Sequence, residues 1–459
     1  MQLLRDATII IGSDAAESER RAAVHIQTYI KLVCGVKLPV LTDKAPPRDY
    51  EIVVGRTERE ETDGLDFARS SGRNFEYMIK SYGKRLYVTG FGIPVPDSEN
   101  LQPAAYRYFE PGALGTLYAG YTFVEKVLDY DFMLPEYTDI PDRPDLPFPE
   151  DFSFEYTRDS LCSPVVRRFD GTAMYMLPVS CHPDWNIMSF VFRTRQGRLV
   201  VIDGGFADER DTFMKVLHQL VPDEKPVISA WLFTHMHIDH YGILDSLITD
   251  AAEGRDIPVR VENLYMHPLD EEFYMTLSKE ANPAFAKVRN NLMRADKVLG
   301  CAVHMVGENE VFGVDELSFK VLRVPSMADA REMNMNDSSV VYKLTVDGGQ
   351  TILFLGDGER VCSRDLLARQ RDELPCDVVQ VGHHGVLSVS QECYRVINAK
   401  YYLWQLGKRY YYSDQGDGIG SFNIGMLRTR RWIRQMGVPR EHILFDLDGT
   451  LSIELPIKD

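Results

Sequence analysis

The sequence lacks the marks of a membrane-bound or exported protein. Its apolar runs are far shorter than the roughly 20 residues of a membrane-spanning helix. The first residues show no basic start followed by an apolar core and a small-residue cleavage site. The seven cysteines are scattered without any Cys-x-x-Cys spacing, which is typical of reduced thiols rather than of a disulfide framework. We therefore expect a cytoplasmic protein that does not bind to membranes.

Basic residues are also fewer than acidic ones. The chain has 51 Lys and Arg against 68 Asp and Glu, which gives a formal net charge of −17. Such an excess of negative charge repels the phosphate backbone of a long nucleic acid. The charge balance therefore favours a small-molecule substrate and makes nucleic acid an unfavourable partner, while the oligomeric state is left open.

The length of 459 residues exceeds that of one ordinary domain and predicts two. Between Pro135 and Pro149 the chain carries five prolines, which disfavour both a helix and a central strand. We place the domain boundary there. The prediction is a smaller domain over residues 1–134, a proline-rich linker over 135–155 and a second domain over 156–459.

Hydrophobic patterning predicts an α+β protein. In the first domain, strand-like segments alternate with helix-like ones, such as the amphipathic stretch Glu17–Val33. In the second domain, strands outnumber helices and fall into two groups along the chain. This arrangement favours two sheets that pack face to face with helices outside, an αββα sandwich, preceded by an α/β-type domain.

The strongest chemical signal follows a buried strand at Ile228–Phe233. Four metal-binding side chains occur within six residues, His235, His237, Asp239 and His240. In His-x-His the two imidazoles lie on the same side of an extended segment, and the Asp-His pair can turn back towards a second metal. Surface histidines that cluster by accident at this spacing are rare. Imidazole and carboxylate ligands without cysteine suit a hydrolytic Zn²⁺, Mn²⁺ or Fe²⁺ site.

The motif Thr-His-x-His-x-Asp-His after an apolar strand resembles the hallmark of the metallo-β-lactamase superfamily. Two further segments fit that resemblance. The strand that ends in Asp203-Gly204 is similar to the superfamily's upstream motif, which implies that Asp203 braces the metal-binding loop from behind. The later Gly356-Asp357 pair is similar to the motif whose carboxylate bridges two metals, which implies that role for Asp357.

Within the superfamily, three segments resemble the hydrolase domain of ComEC-type DNA-uptake proteins and the pneumococcal phosphorylcholine esterase. They are Asn336–Val341, Leu353–Asp357 and Val379–Gly385. The resemblance implies that Asn336 supports the metal ligands. It also implies that one of His383 and His384 binds metal while the other contacts substrate oxygens. We name His383 as the metal ligand, although the sequence does not decide which ring takes which role.

The sequence departs from the superfamily pattern in two places. The region before the bridging aspartate has no third histidine, so one metal would be completed by water or by Asn334, Asn336 or Asp337; His267 and His304 are weaker candidates. The chain also lacks the Tyr-Gly-His-Pro motif common in ComEC-like proteins, which weakens the expectation of nuclease activity. The superfamily resemblance therefore predicts hydrolysis more firmly than it predicts a substrate.

The first domain has a looser resemblance of its own. Its helix 17–33, strand 52–55 and glycine-containing segment 115–125 are similar to the non-catalytic domain that precedes the barrel in hexosaminidases and α-glucuronidases. In those families the domain is accessory. The resemblance implies a carbohydrate-linked substrate.

Together these features predict a metal-dependent hydrolase with two divalent ions, zinc first and manganese or iron as alternatives. A water shared by the metals would attack a phosphodiester-type bond in a small, sugar-linked substrate. In that scheme His383 or His384 stabilises the developing charge, and Asp239 or a second water protonates the leaving group. Two alternatives stay open: a lactone or amide hydrolase on the same metals, and a non-catalytic carbohydrate-binding or regulatory protein with a vestigial site.

Overall fold

The computed structural model describes residues 2–67, 75–91, 114–131, 140–181, 185–222, 225–277, 283–347, 349–414 and 423–458. The chain forms two compact units. The first comprises Met1–Ser160 and Lys408–Asn423, and the second comprises Leu161–Gly407 and Ile424–Asp459. None of the helices in the described ranges is long and apolar enough to cross a membrane.

The first unit contains one mixed sheet and two long helices. Its elements before residue 161 are β1 (Thr8–Ile11), α1 (Glu17–Cys34), β2 (Val40–Thr42), β3 (Glu51–Val54), α2 (Glu58–Thr62), β4 (Tyr77–Tyr82), β5 (Arg85–Gly90), α3 (Gly115–Lys126), β6 (Ser153–Tyr156) and the start of the short α4 (Arg158–Leu161). The strand order is β2-β1-β3-β5-β4-β6. Strands β1, β2, β3 and β5 run parallel, whereas β4 is antiparallel to both of its neighbours.

Local sequence explains α1. Its buried positions, among them Ala22, Ile26 and Ile30, recur at helical spacing and form one apolar face. The Glu19 side chain accepts a hydrogen bond from the Ala16 backbone N–H at the start. At the end Gly35 takes a left-handed conformation with φ 75°, which ends the helix.

The described part of the predicted linker over 135–155 belongs to the first unit. Residues 135–139 lie outside the described residues. Farther on, Phe148 is buried and β6 pairs with β4 along Ser153–Tyr156. The proline-rich segment therefore ends as an edge strand of the first unit, a position that tolerates proline nearby because one side of the strand needs no partner.

From residue 161 onward the elements in chain order are β7 (Ala173–Met176), β8 (Ser189–Arg193), β9 (Leu199–Asp203), α5 (Arg210–Leu220), β10 (Val227–Leu232), α6 (Ile238–Ala252), β11 (Arg260–Val261), β12 (Asn263–Met266), α7 (Glu271–Thr276), α8 (Pro283–Leu292), α9 (Ala295–Leu299), β13 (Ala302–Met305), β14 (Val311–Val314), β15 (Leu317–Arg323), β16 (Val341–Thr345), β17 (Thr351–Phe354), α10 (Arg360–Arg369), β18 (Val378–Gln380), α11 (Gln391–Ile397), β19 (Tyr401–Trp404), α12 (Lys408–Tyr412), α13 (Ile424–Gln435), β20 (Ile443–Phe445) and β21 (Leu451–Glu454). All except α12 belong to the second unit.

The second unit is built on two sheets. One has the order β13-β12-β10-β9-β8-β7-β21, with β11 also paired to β10, and the other has the order β14-β15-β16-β17-β18-β19-β20. A shared apolar core joins them: Phe190 of β8 packs edge-on against Phe354 of β17, with ring centroids 5.1 Å apart. On the outer face of the first sheet, α5 and α6 cover Trp231. The predicted α+β fold with a two-sheet sandwich in the C-terminal region is confirmed.

The segment Lys408–Asn423 joins the first unit although it lies within the predicted second domain. The Asp414 carboxylate is fully buried and accepts a hydrogen bond from the Tyr121 hydroxyl at 2.5 Å. The Lys408 ammonium donates to the Tyr77 hydroxyl at 2.6 Å and lies 4.4 Å from the centre of the Tyr156 ring. These buried polar contacts fix the segment to the sheet and helices of the first unit.

Candidate metal centre

The His-x-His-x-Asp-His motif occupies the turn between β10 and α6. His237 is the N-cap of α6, so Asp239 and His240 fall in its first turn. His235 lies on the extended stretch before the helix and is buried, as is His240. The change from strand to helix brings side chains from both elements to the same edge of the sheet.

Five of the predicted metal ligands, together with His384, form two overlapping groups of potential metal ligands. One group contains Asp239, His240, Asp357 and His384, and the other contains His235, His237 and Asp357. Within each group, one ligand atom from every residue lies within 4.8 Å of the others. Asp357 is common to both groups, which is the arrangement that a bridging carboxylate requires.

Several buried atoms at this centre make no hydrogen bond within the described chain: His240 Nε2, His384 Nε2 and Asp357 Oδ1. The two imidazole nitrogens lie 3.3 and 3.6 Å from Asp357 Oδ2. Buried polar atoms are normally satisfied, and several that converge on one point fit a bound cation. Imidazole and carboxylate donors fit divalent zinc, manganese or iron.

Asp203 lies directly behind the metal-binding loop, at the end of β9 with φ 54°. Its carboxylate accepts hydrogen bonds from the Thr234 backbone N–H at 2.9 Å and the Thr234 hydroxyl at 2.7 Å. It also lies 2.8 Å from His240 Nδ1. Because a carboxylate only accepts, His240 carries its proton on Nδ1 and turns the Nε2 lone pair towards the centre.

His383 and His384 take consecutive left-handed conformations, with φ 45° and 48°. The following Gly385 continues the turn at φ 81°, and a Cβ there would lie 2.2 Å from the Trp404 ring. The turn points the two imidazoles in different directions. His384 Nδ1 donates to the Gln405 carbonyl at 3.0 Å, so its Nε2 faces the metal-binding residues.

The structure therefore brings His384, and not the predicted His383, into a potential metal-binding group. His383 Nδ1 instead lies 2.8 Å from Glu359 Oε1, and its Nε2 lies 4.0 Å from Asp357 Oδ2. The physical reason is the pair of left-handed residues, whose backbone turns the His384 ring towards Asp357 and the His383 ring towards Glu359. His383 stands beside the centre with part of its side chain exposed.

Glu359 is a residue of this centre that the sequence reasoning missed. Its carboxylate accepts from Asn336 Nδ2 at 3.0 Å and from Asn334 Nδ2 at 3.1 Å, in addition to the contact with His383. Asn336, predicted to support the ligands, contacts Glu359 and also lies 3.3 Å from His383 Nε2 through its Nδ2. The only sequence signal was a carboxylate two residues after Asp357, which is too common to single out.

The electrostatics of the centre differ from ring to ring. Burial, together with the neighbouring His240, holds the pKa of His235 well below its ordinary value. Burial also opposes a charge on His240, but the carboxylates of Asp357 and Asp203 outweigh it and raise the pKa of His240. Burial opposes ionisation of Asp357, yet His240 and His384 hold its pKa well below the ordinary range.

Asp239 and His383 show a similar contrast. Burial disfavours ionised Asp239, but His240 and His384 outweigh this and lower its pKa. The ionised form is the one in which a carboxylate binds a metal. Burial opposes a charge on His383, but its hydrogen bond with Glu359 and the charge of Asp357 outweigh burial, so the pKa of His383 is raised.

His267 and His304 are placed away from both groups. His267 Nδ1 donates to the Val306 carbonyl at 2.6 Å. His304 Nε2 lies 2.9 Å from Asn263 Oδ1, and its ring stacks on Tyr265. Both rings have structural partners and do not supply the missing third histidine.

Residues 182–322, which include the His235–His240 motif, match the family model described as the metallo-beta-lactamase superfamily. The match supports superfamily membership for this part of the chain, and the C-terminal region carries the metallo-β-lactamase domain. No curated protein sequence matches the chain.

Solved structures of that fold are similar at low identity. The metallo-β-lactamase fold protein YhfI from Bacillus subtilis is 12% identical, with 61% of this chain and 99% of that chain covered and a TM-score of 0.36. CmlA, a diiron β-hydroxylase from Streptomyces venezuelae, is 12% identical over 63% of this chain and 55% of its own, with a TM-score of 0.38. The subclass B3 enzyme BJP-1 of Bradyrhizobium japonicum is 14% identical over 61% and 93%, with a TM-score of 0.30.

Proposed function

We propose that this protein is a metal-dependent hydrolase with two divalent ions, zinc in the first place and manganese or iron as alternatives. One ion would be held by His235, His237 and Asp357, and the other by the group that contains His384. The observation that carries this proposal is the place of Asp357 in both groups, together with the buried, unsatisfied atoms that converge on it.

Two such ions, when bound, polarise the substrate and lower the pKa of a shared water so that a nucleophile is available near neutral pH. The protein's own residues prepare the centre for this chemistry. Asp203 and the Gln405 carbonyl fix the protons of His240 and His384 on Nδ1, so the Nε2 atoms are ready to bind. His383, held by Glu359 outside both groups, is the ring available to contact substrate oxygens.

For the bond that is cleaved, we propose a phosphodiester in a small, sugar-linked substrate. The support is the ComEC-like order of motifs around Asn336, Asp357 and His383, and the likeness of the first unit to the accessory domain of glycosidases. A cytoplasmic location belongs to the same proposal. It is supported by the scattered cysteines, which form no disulfide within the described chain.

A lactone or amide hydrolase is the second candidate, and one observation favours it. Within the described residues, no Lys or Arg lies within 4 Å of the carboxylates of Asp203, Asp239, Asp357 or Glu359. Phosphate-binding sites commonly use such cations. A purely carbohydrate-binding or regulatory role is less consistent with the complete ligand set, since a vestigial site would have lost some of these residues.

Elemental analysis of the purified protein beside Asp357→Ala tests the proposal. The native protein should retain about two transition-metal ions per chain and the variant one or none, because Asp357 belongs to both groups. Metal-loaded protein is then assayed on matched phosphodiester, lactone and amide model compounds. A protein that retains no metal after reconstitution, or that hydrolyses none of these compounds, contradicts the proposal.

A further inference from the structure

The buried side chain of Gln405 joins the two sheets of the second unit. Gln405 directly follows β19 in one sheet. Its Oε1 accepts a hydrogen bond from the Ser189 backbone N–H at 3.1 Å, and its Nε2 donates to the Leu177 and Ser189 carbonyls, each at 3.0 Å. Ser189 begins β8 and Leu177 follows β7, so the carboxamide bonds the backbone of the opposite sheet.

This carboxamide is inserted into the ladder between β7 and β8. The Leu177 N–H donates to the Ser189 carbonyl at 3.1 Å. In a regular antiparallel pair the same two residues also exchange the second bond, from the Ser189 N–H to the Leu177 carbonyl. Here the carboxamide lies between those two groups and bonds both. Without it the two backbone groups could bond each other directly, so the ladder itself does not require a glutamine.

Both ends of this link reach a member of the same potential metal-binding group. On one side, the Gln405 backbone carbonyl accepts from His384 Nδ1 at 3.0 Å. On the other side, Met188 precedes Ser189 and donates its N–H to the Asp239 backbone carbonyl at 3.1 Å. His384 Nε2 and Asp239 Oδ2 lie 3.7 Å apart. Because these two residues follow strands of different sheets, a bond between the sheets at this point sets their separation.

The backbone on each side of Gln405 has further bonds. Before it, Trp404 Nε1 donates to the His384 carbonyl at 2.7 Å. After it, the Gly407 N–H donates to Asn186 Oδ1 at 3.1 Å, which is a second link towards the segment that leads into β8. This second link remains when the carboxamide is removed. We therefore expect a protein changed only at the Gln405 side chain to fold.

We infer that Gln405 is a positioning residue, which sets the separation of Asp239 and His384 and thereby the fit of their group to its ion. This inference rests on the proposed two-ion function. It predicts a selective effect, because the described hydrogen bonds of His235 and His237 involve neither Gln405 nor Ser189. A merely structural role for Gln405 would lower the stability of the protein without distinguishing one ion from the other.

The test variant is Gln405→Met, which keeps the length of the side chain and removes its hydrogen-bonding carboxamide. The matched control is Gln350→Met. Gln350 Oε1 accepts from the Ile457 N–H at 2.8 Å, so this carboxamide also bonds backbone that follows a strand of the opposite sheet. Gln350 precedes β17, whereas Asp357 lies beyond the other end of that strand. The control therefore removes a similar link away from the metal centre.

Both variants and the native protein are titrated with Co²⁺, whose visible absorption depends on its coordination geometry, in competition with a chelator. Gln405→Met should weaken one of the two ions about 10- to 100-fold and change its absorption, while the other ion binds as in the native protein. Gln350→Met should bind both ions as the native protein does, whatever its Tm. Native-like binding in Gln405→Met, or equal weakening of both ions, would overturn the inference.

Crystal structures of the metal-free native protein and of metal-free Gln405→Met separate the inference from the proposed function. The distance between Asp239 Oδ2 and His384 Nε2 should differ between them by at least about 0.5 Å, the tolerance of a preorganised site. A changed distance in a protein whose native form binds no metal would support the positioning role and reject the proposed function. Two ions in the native protein, with distance and affinity unchanged in the variant, would retain the function and reject the inference.

Discussion

Replacing Asp203 by Asn should weaken one metal far more than the other. Asp203 accepts three hydrogen bonds through its two oxygens, two from Thr234 and one from His240 Nδ1. An amide can keep the bond from the Thr234 backbone but presents an N–H₂ group where the second oxygen was. His240 then has to place its proton on Nε2, the atom that faces Asp357, and this removes a ligand.

The size of the effect follows from the role of such supporting carboxylates. Losing one typically weakens metal binding 10- to 100-fold, or by about 1.4 to 2.7 kcal/mol. The loss should fall on the ion held with Asp239, His240 and His384. The ion held by His235 and His237 should be affected less, because neither of those rings contacts Asp203 in the described hydrogen bonds.

The assay is competition for metal with a chromogenic chelator, performed on the native protein and on Asp203→Asn. Two sites of similar affinity in the native protein should separate in the variant into one retained and one weakened. Thr234→Val is the comparison variant: it removes the hydroxyl, which contacts Asp203, His235 Nδ1 and His240 Nδ1, but it keeps the Asp203 carboxylate that holds the His240 proton on Nδ1. Unchanged affinity at both sites, or equal loss at both, would refute the reasoning.

Three further predictions concern single residues. Glu359→Gln should keep its metal by elemental analysis but lose about 10- to 100-fold in turnover, because the amide oxygen can still accept from His383 but no longer supplies the negative charge that helps to raise the pKa of His383; loss of metal instead would assign Glu359 to the ligand set. Gly385→Ala should cost at least about 2 kcal/mol in thermal denaturation, since its Cβ overlaps an indole. Gly437→Ala, with the same φ of 81° and open space around it, should cost only about 1 kcal/mol, and equal losses would contradict the steric argument. In the metal-free protein the pKa of His240 is raised, so its positive charge should stabilise the folded state. This contribution should be complete below about pH 6.5 and should be lost as the pH rises through the folded-state pKa. His240→Gln should remove that part of the pH dependence of Tm, and an unchanged profile would show that other groups cause it.

The regular elements and the sandwich were accessible from the sequence because their signals are local. Alternation and apolar runs placed α1, β9 and β10 within one or two residues of their positions. The two groups of strands indicated two sheets. The affiliation of Lys408–Asn423 with the first unit was not accessible, since it depends on buried partners such as Tyr121 that lie almost 300 residues away in the chain.

The candidate site, too, could be predicted from the sequence only in part. The cluster His235–His240 and the strand-end aspartates Asp203 and Asp357 stand out in sequence because ligand type and spacing are visible there. The distinct positions of His383 and His384 depend on two consecutive left-handed residues, which no side-chain pattern in the sequence predicts. Glu359 becomes recognisable only once that turn brings His383 beside it.

The return of Lys408–Asn423 to the first unit has a consequence for synthesis. The ribosome makes the first 160 residues early, yet the buried Asp414 that accepts from Tyr121 follows only about 250 residues later. At roughly 5 to 20 residues per second, the early part waits on the order of 10 to 50 s for its last piece. During that interval Tyr121 lacks the carboxylate that it bonds in the folded protein, so this domain should be a client for chaperones until the segment around Asp414 has been made.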